Sequence, residues 1–210
     1  MSFIRDDVRD WLRGLADVKN DPVLAAMHAE AAERGFPIVG PEVGRLLFQL
    51  ATVSRAKRVF ELGSGFGYST LWFARAVGEG GRVYHTDGDE TNTAKARQYL
   101  GEAGMTDRVE FNTGDARDVL KATPDEFDIV FMDIDKEQYP DGYRLLRDRV
   151  RIGGLVIVDN LVWSGRVAEG GDDEATRGIR EYLDLMWNDA NFLSSLMPVR
   201  DGVGVSLRIQ

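Results

Sequence analysis

One stretch limits what this chain can become: Val59-Phe60-Glu61-Leu62-Gly63-Ser64-Gly65-Phe66-Gly67-Tyr68-Ser69, an apolar run closed by an acid and by three glycines at alternate positions. The pattern predicts a buried strand, a tight turn and a helix over about 68–77. Glycines in such a turn admit left-handed dihedrals and let a ligand approach the backbone closely. The helix start beyond them offers free N–H groups to a carboxylate or phosphate. A dinucleotide fingerprint would need its third glycine at position 68, which is Tyr68. Asp87, which follows the run Val83-Tyr84-His85-Thr86, stands where an acceptor for ribose hydroxyls is expected, or else caps the helix before Glu90. A nucleoside ligand lacking a pyrophosphate satisfies these observations.

From residue 57 onward, strand-like and helix-like segments alternate. Strands are predicted near 57–62, 82–87, 109–112, 128–133 and 153–159, and helices near 68–77, 90–103, 115–121 and 140–151. Such alternation predicts an α/β fold with a parallel sheet covered on both faces. Ligands of these sheets bind beyond the carboxyl ends of the strands, where Glu61, Asp87, Asp133 and Asp159 all fall. A helix near 173–188 and two strands near 192–199 and 203–209, joined through Arg200-Asp201-Gly202, predict an antiparallel strand at the end of the sheet.

The motif Glu-x-Gly-x-Gly-x-Gly, with an acid closing the second strand, resembles the S-adenosylmethionine site of class I methyltransferases. Phe131-Met132-Asp133-Ile134-Asp135-Lys136 and Val158-Asp159-Asn160-Leu161-Val162-Trp163-Ser164-Gly165 are similar to stretches of the metal-dependent O-methyltransferases that include the catechol and caffeoyl-CoA enzymes. The resemblance runs from about residue 35 to the end. It implies a Rossmann-like class I methyltransferase fold with a mostly parallel seven-stranded sheet and a C-terminal antiparallel hairpin. It also implies S-adenosylmethionine as methyl donor, bound through Val39, Glu61, Gly63, Gly65, Gly67, Ser69, Asp87, Asp133 and the backbone of Asp115-Ala116. Trp163 matches a position beside the acceptor ring, and a homodimer is expected of the family.

If the strands ending at Asp133 and Asp159-Asn160 are neighbours, two carboxylates and an amide converge, a set suited to a hard divalent ion such as Mg²⁺. Taken singly, these residues could instead cap helices or form turns. Zinc is disfavoured, because the chain has no cysteine and only His28 and His85, both expected at surface or half-buried positions. A metal here would bind two adjacent oxygens of a catechol-like diol and lower a hydroxyl pKa. In the resembled family the lysine at position 136 is the general base, which requires a pKa lowered by the cation and by burial. Ile134 replaces the small residue usual in the plant caffeoyl-CoA enzymes, so an acceptor smaller than a coenzyme A thioester is expected.

The 210 residues, 43% of them hydrophobic, suffice for one domain spanning 1–210, and no run is long and apolar enough to span a bilayer. Arg5, Asp6, Asp7, Arg9 and Asp10 leave no apolar core for a secretory signal, so a cytoplasmic address is expected. The formal charge of −9 disfavours general nucleic-acid binding. Arg144, Arg147 and Arg151 could still form a cationic stripe, which keeps a tRNA hydroxyl open as an alternative acceptor; a non-catalytic nucleoside-binding module is the other alternative. Val8, Trp11, Leu12 and Leu15 mark one face of an N-terminal helix within 3–16, and a second helix is predicted from Pro22 to Arg34. These two helices are candidates for a lid, a dimer contact or both.

Overall fold

A computed structural model describes residues 5–210, so residues 3 and 4 of the predicted first helix lie outside the described residues. Seven strands form one sheet: β1 (Arg58–Leu62), β2 (Arg82–Asp87), β3 (Val109–Thr113), β4 (Phe127–Met132), β5 (Val150–Val158), β6 (Phe192–Met197) and β7 (Val203–Arg208). Their order is β3-β2-β1-β4-β5-β7-β6. The first five are parallel, and β7 runs antiparallel to both its neighbours. The expected antiparallel strand is therefore β7, one place in from the edge, and β6 is the edge strand. β6 stops at Met197 because Pro198 has no N–H to donate.

The strands are buried on both faces, so their alternation assigns side chains to two separate cores. Val59, Val83, Ile129, Phe131 and Ile157 face α3 (Gly40–Val53), α4 (Tyr68–Val77) and α5 (Glu90–Glu102). Phe60, Leu62, Val130, Met132, Val156 and Val158 face α6 (Ala116–Ala122), α7 (Tyr139–Leu146) and α9 (Glu174–Asn188), with α8 (Arg166–Glu169) at the rim. The predicted helix over 140–151 is shorter than expected. It ends at Leu146, a single 3₁₀ turn covers Arg147–Arg149, and β5 already begins at Val150, which pairs with Phe127. The register then shifts, with Ile129 paired to Leu155, across Gly153 and Gly154. A Cβ on Gly154 would lie 2.7 Å from the Asp128 carbonyl oxygen, so the two strands close up only over a glycine.

Of the two N-terminal helices, α2 (Pro22–Arg34) is anchored by Leu24, Met27 and Ala31 and capped by Asp21, whose carboxylate also accepts from Arg75. By contrast, α1 (Asp6–Leu15) leaves Trp11 63% and Leu15 62% exposed. No described helix is long and apolar enough to cross a membrane.

Candidate active site

β1 sits between β2 and β4, so the chain turns away in opposite directions from adjacent strands and opens a crevice at their carboxyl ends. A cleft of about 1510 Å³ occupies it. The floor is the turn at residues 63–67, where Gly63, Gly65 and Gly67 all have positive φ. A Cβ on Gly63 would lie 2.5 Å from the Asp133 carbonyl oxygen, and one on Gly65 2.9 Å from the Phe36 ring. The turn is tied to β2 by Ser64 N–H donating to Thr86 O (2.9 Å) and Thr86 N–H donating to Ser64 Oγ (3.0 Å). His85 Nε2 lies 3.1 Å from the Gly65 carbonyl, an acceptor only, so the ring carries its proton there. His85 is completely buried, contrary to the expected surface or half-buried position, because β2 has no solvated face; burial pushes its imidazole down to about 4.

Most donor-site candidates come together. Val39, Gly63, Gly65, Ser69, Asp87, Asp115, Ala116 and Asp133 line the cleft, along with Gly114 and the far end of α1 at Arg13 and Gly14. Glu61 and Gly67 lie beneath it. Glu61 is fully buried, with Oε2 accepting from Thr70 Oγ1 (2.5 Å) and Ser64 Oγ (3.4 Å); burial pushes its carboxyl up to about 7 against these hydroxyls. Gly67 makes room for α5, since its Cβ would meet that of Ala96 at 2.9 Å. Asp87 is not the cap of α5. Asp89 takes that role by accepting from Thr91 N–H, while Asp87 Oδ1 accepts from Asp89 N–H and Asn92 Nδ2. Asp115 caps α6, and the Arg117 guanidinium holds its carboxyl down to about 2, so its side chain is already engaged where the residue borders the cleft.

The acceptor side grows out of β4 and β5. These strands are parallel neighbours with Met132 opposite Val158, and Asp159 N–H donates to Met132 O (3.3 Å), so Asp133 and Asp159 leave adjacent strand ends. Asp159 is 2% exposed, and burial followed by the charge of Asp133 pushes its carboxyl up to about 7. Its Oδ1 accepts from Asn160 N–H (2.9 Å), and Tyr139 Oη donates to its backbone carbonyl (2.9 Å). Lys136 Nζ donates to Asp133 Oδ1 (2.7 Å) and to Ile134 O (3.1 Å), and lies 5.9 Å from the centre of the Trp163 ring. Neither Asp133 nor Asp135 caps α7.

Among the described residues no three His, Cys, Asp or Glu side chains gather as a metal cluster; the donor set is two carboxylates and the Asn160 amide. A hard divalent cation fits it, because the donors are all oxygen and the buried Asp159 carboxyl, beside a second acid, forms no ion pair among the described residues. The glycine turn likewise fits a ligand that presses on backbone where a Cβ would intrude. Sequence reasoning missed His85, Thr86, Tyr139 and Arg200. Only His85 carried a signal, as a polar residue inside a strand covered on both faces.

A seven-stranded sheet of this order, with a glycine turn after β1 and an acid after β2, defines the class I methyltransferase fold. The O-methyltransferase family profile matches residues 16–209. A catechol O-methyltransferase of Niastella koreensis is 34% identical over 98% of this chain and 97% of its own length. The O-methyltransferase TomG of Streptomyces achromogenes, solved with S-adenosylmethionine, superposes with a TM-score of 0.88 at 28% identity over 97% and 96% of the two chains. A Bacillus cereus O-methyltransferase solved with S-adenosylhomocysteine gives 0.87 at 28% identity over 96% and 97%. The chain belongs to the O-methyltransferase family, among the S-adenosylmethionine-dependent enzymes related to catechol O-methyltransferase.

Proposed function

We propose that the protein methylates one hydroxyl of a vicinal dihydroxy aromatic, with S-adenosylmethionine as donor and a divalent cation, Mg²⁺ by its chemistry, held by Asp133, Asp159 and Asn160. The observation that carries this reading is the convergence of two neighbouring strand ends, one of them bonded to Lys136, on the cleft floored by the glycine turn. The donor supplies an electrophilic methyl group on a sulfonium. A cation held by Asp133, Asp159 and Asn160 would supply Lewis acidity that orients the diol and lowers a hydroxyl pKa.

The chain's own residues do the rest. Asp87 has Oδ2 to offer ribose hydroxyls, since only its Oδ1 is bonded within the chain among the described residues. Ser69, the turn backbone and Val39 hold the amino-acid end, and the backbone at Gly114–Ala116 borders the base. Trp163 walls the acceptor ring, and Lys136 Nζ removes the hydroxyl proton. Alignment of an anionic oxygen with the methyl carbon is the main source of rate, because the two charges cancel during transfer.

The test is methyl transfer from labelled donor to catechol, dihydroxybenzoates and undermodified tRNA, with chelator and after Mg²⁺ add-back. Diol methylation that chelator abolishes and Mg²⁺ restores is expected; activity surviving chelation sinks the metal assignment, and methylation of tRNA alone sinks the acceptor. The three arginines of the tRNA alternative are paired with acids: Arg144 with Asp141 and Glu181, Arg147 with Asp189, and Arg151 with Asp128.

A further inference from the structure

The cleft is lined by many acids, which suits a cationic donor and repels an anionic acceptor. Three Arg or Lys side chains also line it: Arg13, Lys136 and Arg200. Arg13 faces Glu42 and Asp10, and Lys136 faces Asp133. Among the described residues Arg200 forms no ion pair, although its charge reaches Asp159; its one hydrogen bond is from Nη1 to the Ile38 carbonyl (2.8 Å). The remaining donors of its guanidinium fork stay available at the mouth of the cleft.

The seat of this side chain is built. Arg200 lies in the loop between β6 and β7, which is fixed to the segment after Asp159-Asn160 by Leu161 N–H donating to Gly202 O (2.9 Å), Val162 N–H to Asp201 O (2.8 Å) and Ser164 N–H to Asp201 Oδ1 (2.6 Å). The guanidinium passes over Gly40, where a Cβ would lie 2.7 Å from Nη1. Backbone strain concentrates at the same place. Of five non-glycine residues with positive φ among those described, four are Asn160, Trp163, Ser164 and Arg200, the last at φ 48°. A glycine would occupy that conformation without cost, so the chain holds a long cationic side chain where the backbone favours none.

We propose that Arg200 is a specificity-determining residue that selects acceptors carrying a carboxylate on the ring, pairing with it at the mouth while the two hydroxyls lie inward. This rests on the diol methylation proposed above and names the substrate class of the same site. A guanidinium and a carboxylate form paired charge-assisted hydrogen bonds, which a neutral amide of the same shape cannot reproduce.

The test compares 3,4-dihydroxybenzoate with 3,4-dihydroxybenzamide at saturating donor and Mg²⁺, in the wild type and in Arg200→Gly and Arg200→Leu; the glycine variant suits the turn and guards against misfolding. The wild type should favour the benzoate in kcat/KM by roughly tenfold or more. Both variants should lose that preference through KM for the benzoate, and Arg200→Lys should restore part of it. Equal use of the two acceptors by the wild type, or a preference that survives in both variants, overturns the proposal and leaves the diol reading standing. A rise in donor KM with the acceptor preference intact overturns it in favour of a clamp on the donor's carboxylate. If the wild type methylates catechol but neither of these acceptors, this proposal fails and the diol reading stands; if it methylates no diol, both fail.

Discussion

At the scale of single residues, the proposed reaction separates groups that touch the reactants from groups that hold them in place. Lys136 belongs to the first kind, and replacing it with methionine keeps the aliphatic stem while removing the basic nitrogen. We expect kcat to fall by about 10²- to 10⁴-fold, the range of a lost general base, with donor affinity by calorimetry nearly unchanged. Unchanged turnover would remove the assignment. In the same proposal Asp87 serves the donor: its Oδ1 is engaged by Asp89 N–H and Asn92, which leaves Oδ2 for the ribose. Asp87→Asn should raise the donor KM by roughly tenfold, since a charged hydrogen bond is weakened, and should leave the acceptor KM alone. A matching rise in the acceptor KM would place Asp87 elsewhere in the reaction.

At the scale of elements, the glycine turn serves two ends, and its three glycines have different reasons. Gly63 and Gly65 clear space toward β4 and the 35–40 loop, whereas Gly67 clears it toward α5. Gly67→Ala therefore belongs to folding: with φ 93° and an Ala96 contact at 2.9 Å, it should cost roughly 2–4 kcal/mol in urea unfolding, from a left-handed penalty plus overpacking. A cost below about 0.5 kcal/mol would show that α4 and α5 shift apart freely. The glycine turn, the strand-end acids and the two-faced sheet were legible because hydrophobic period and glycine spacing are local signals. Three things were not legible. The end of α7 at Leu146 depends on Val150 finding Phe127 across the sheet, and the place of β7 inside the edge depends on which strand β5 pairs with. Arg200 gains its meaning only from Gly40 and Ile38, some 160 residues earlier in the chain.

At the scale of the whole molecule, two buried titratable groups on neighbouring strands, Glu61 on β1 and His85 on β2, pull stability in opposite directions with pH. Burial raises the Glu61 carboxyl from 4.5 to about 7, so between those values the native state keeps a proton that the unfolded chain has released, and stability falls as pH rises. Burial lowers the His85 imidazole from 6.5 to about 4, so in that interval the unfolded chain holds a proton that the native state lacks, and stability falls as pH drops. Each slope amounts to about 1.4 kcal/mol per pH unit. They cancel where the windows overlap, so the pair is silent in the wild type and each member becomes visible when the other is removed. Urea unfolding of the unliganded protein at a series of pH values, read as variant minus wild type, separates them from every other titrating group. For Glu61→Gln the difference should climb by roughly 3 kcal/mol from pH 4.5 to 7; for His85→Gln it should descend by a similar amount from pH 4 to 6.5. A flat difference for Glu61→Gln would mean that the Thr70 and Ser64 hydroxyls already hold the carboxylate charged beneath the turn, and the donor would then bind above a fixed negative charge and not above a neutral acid.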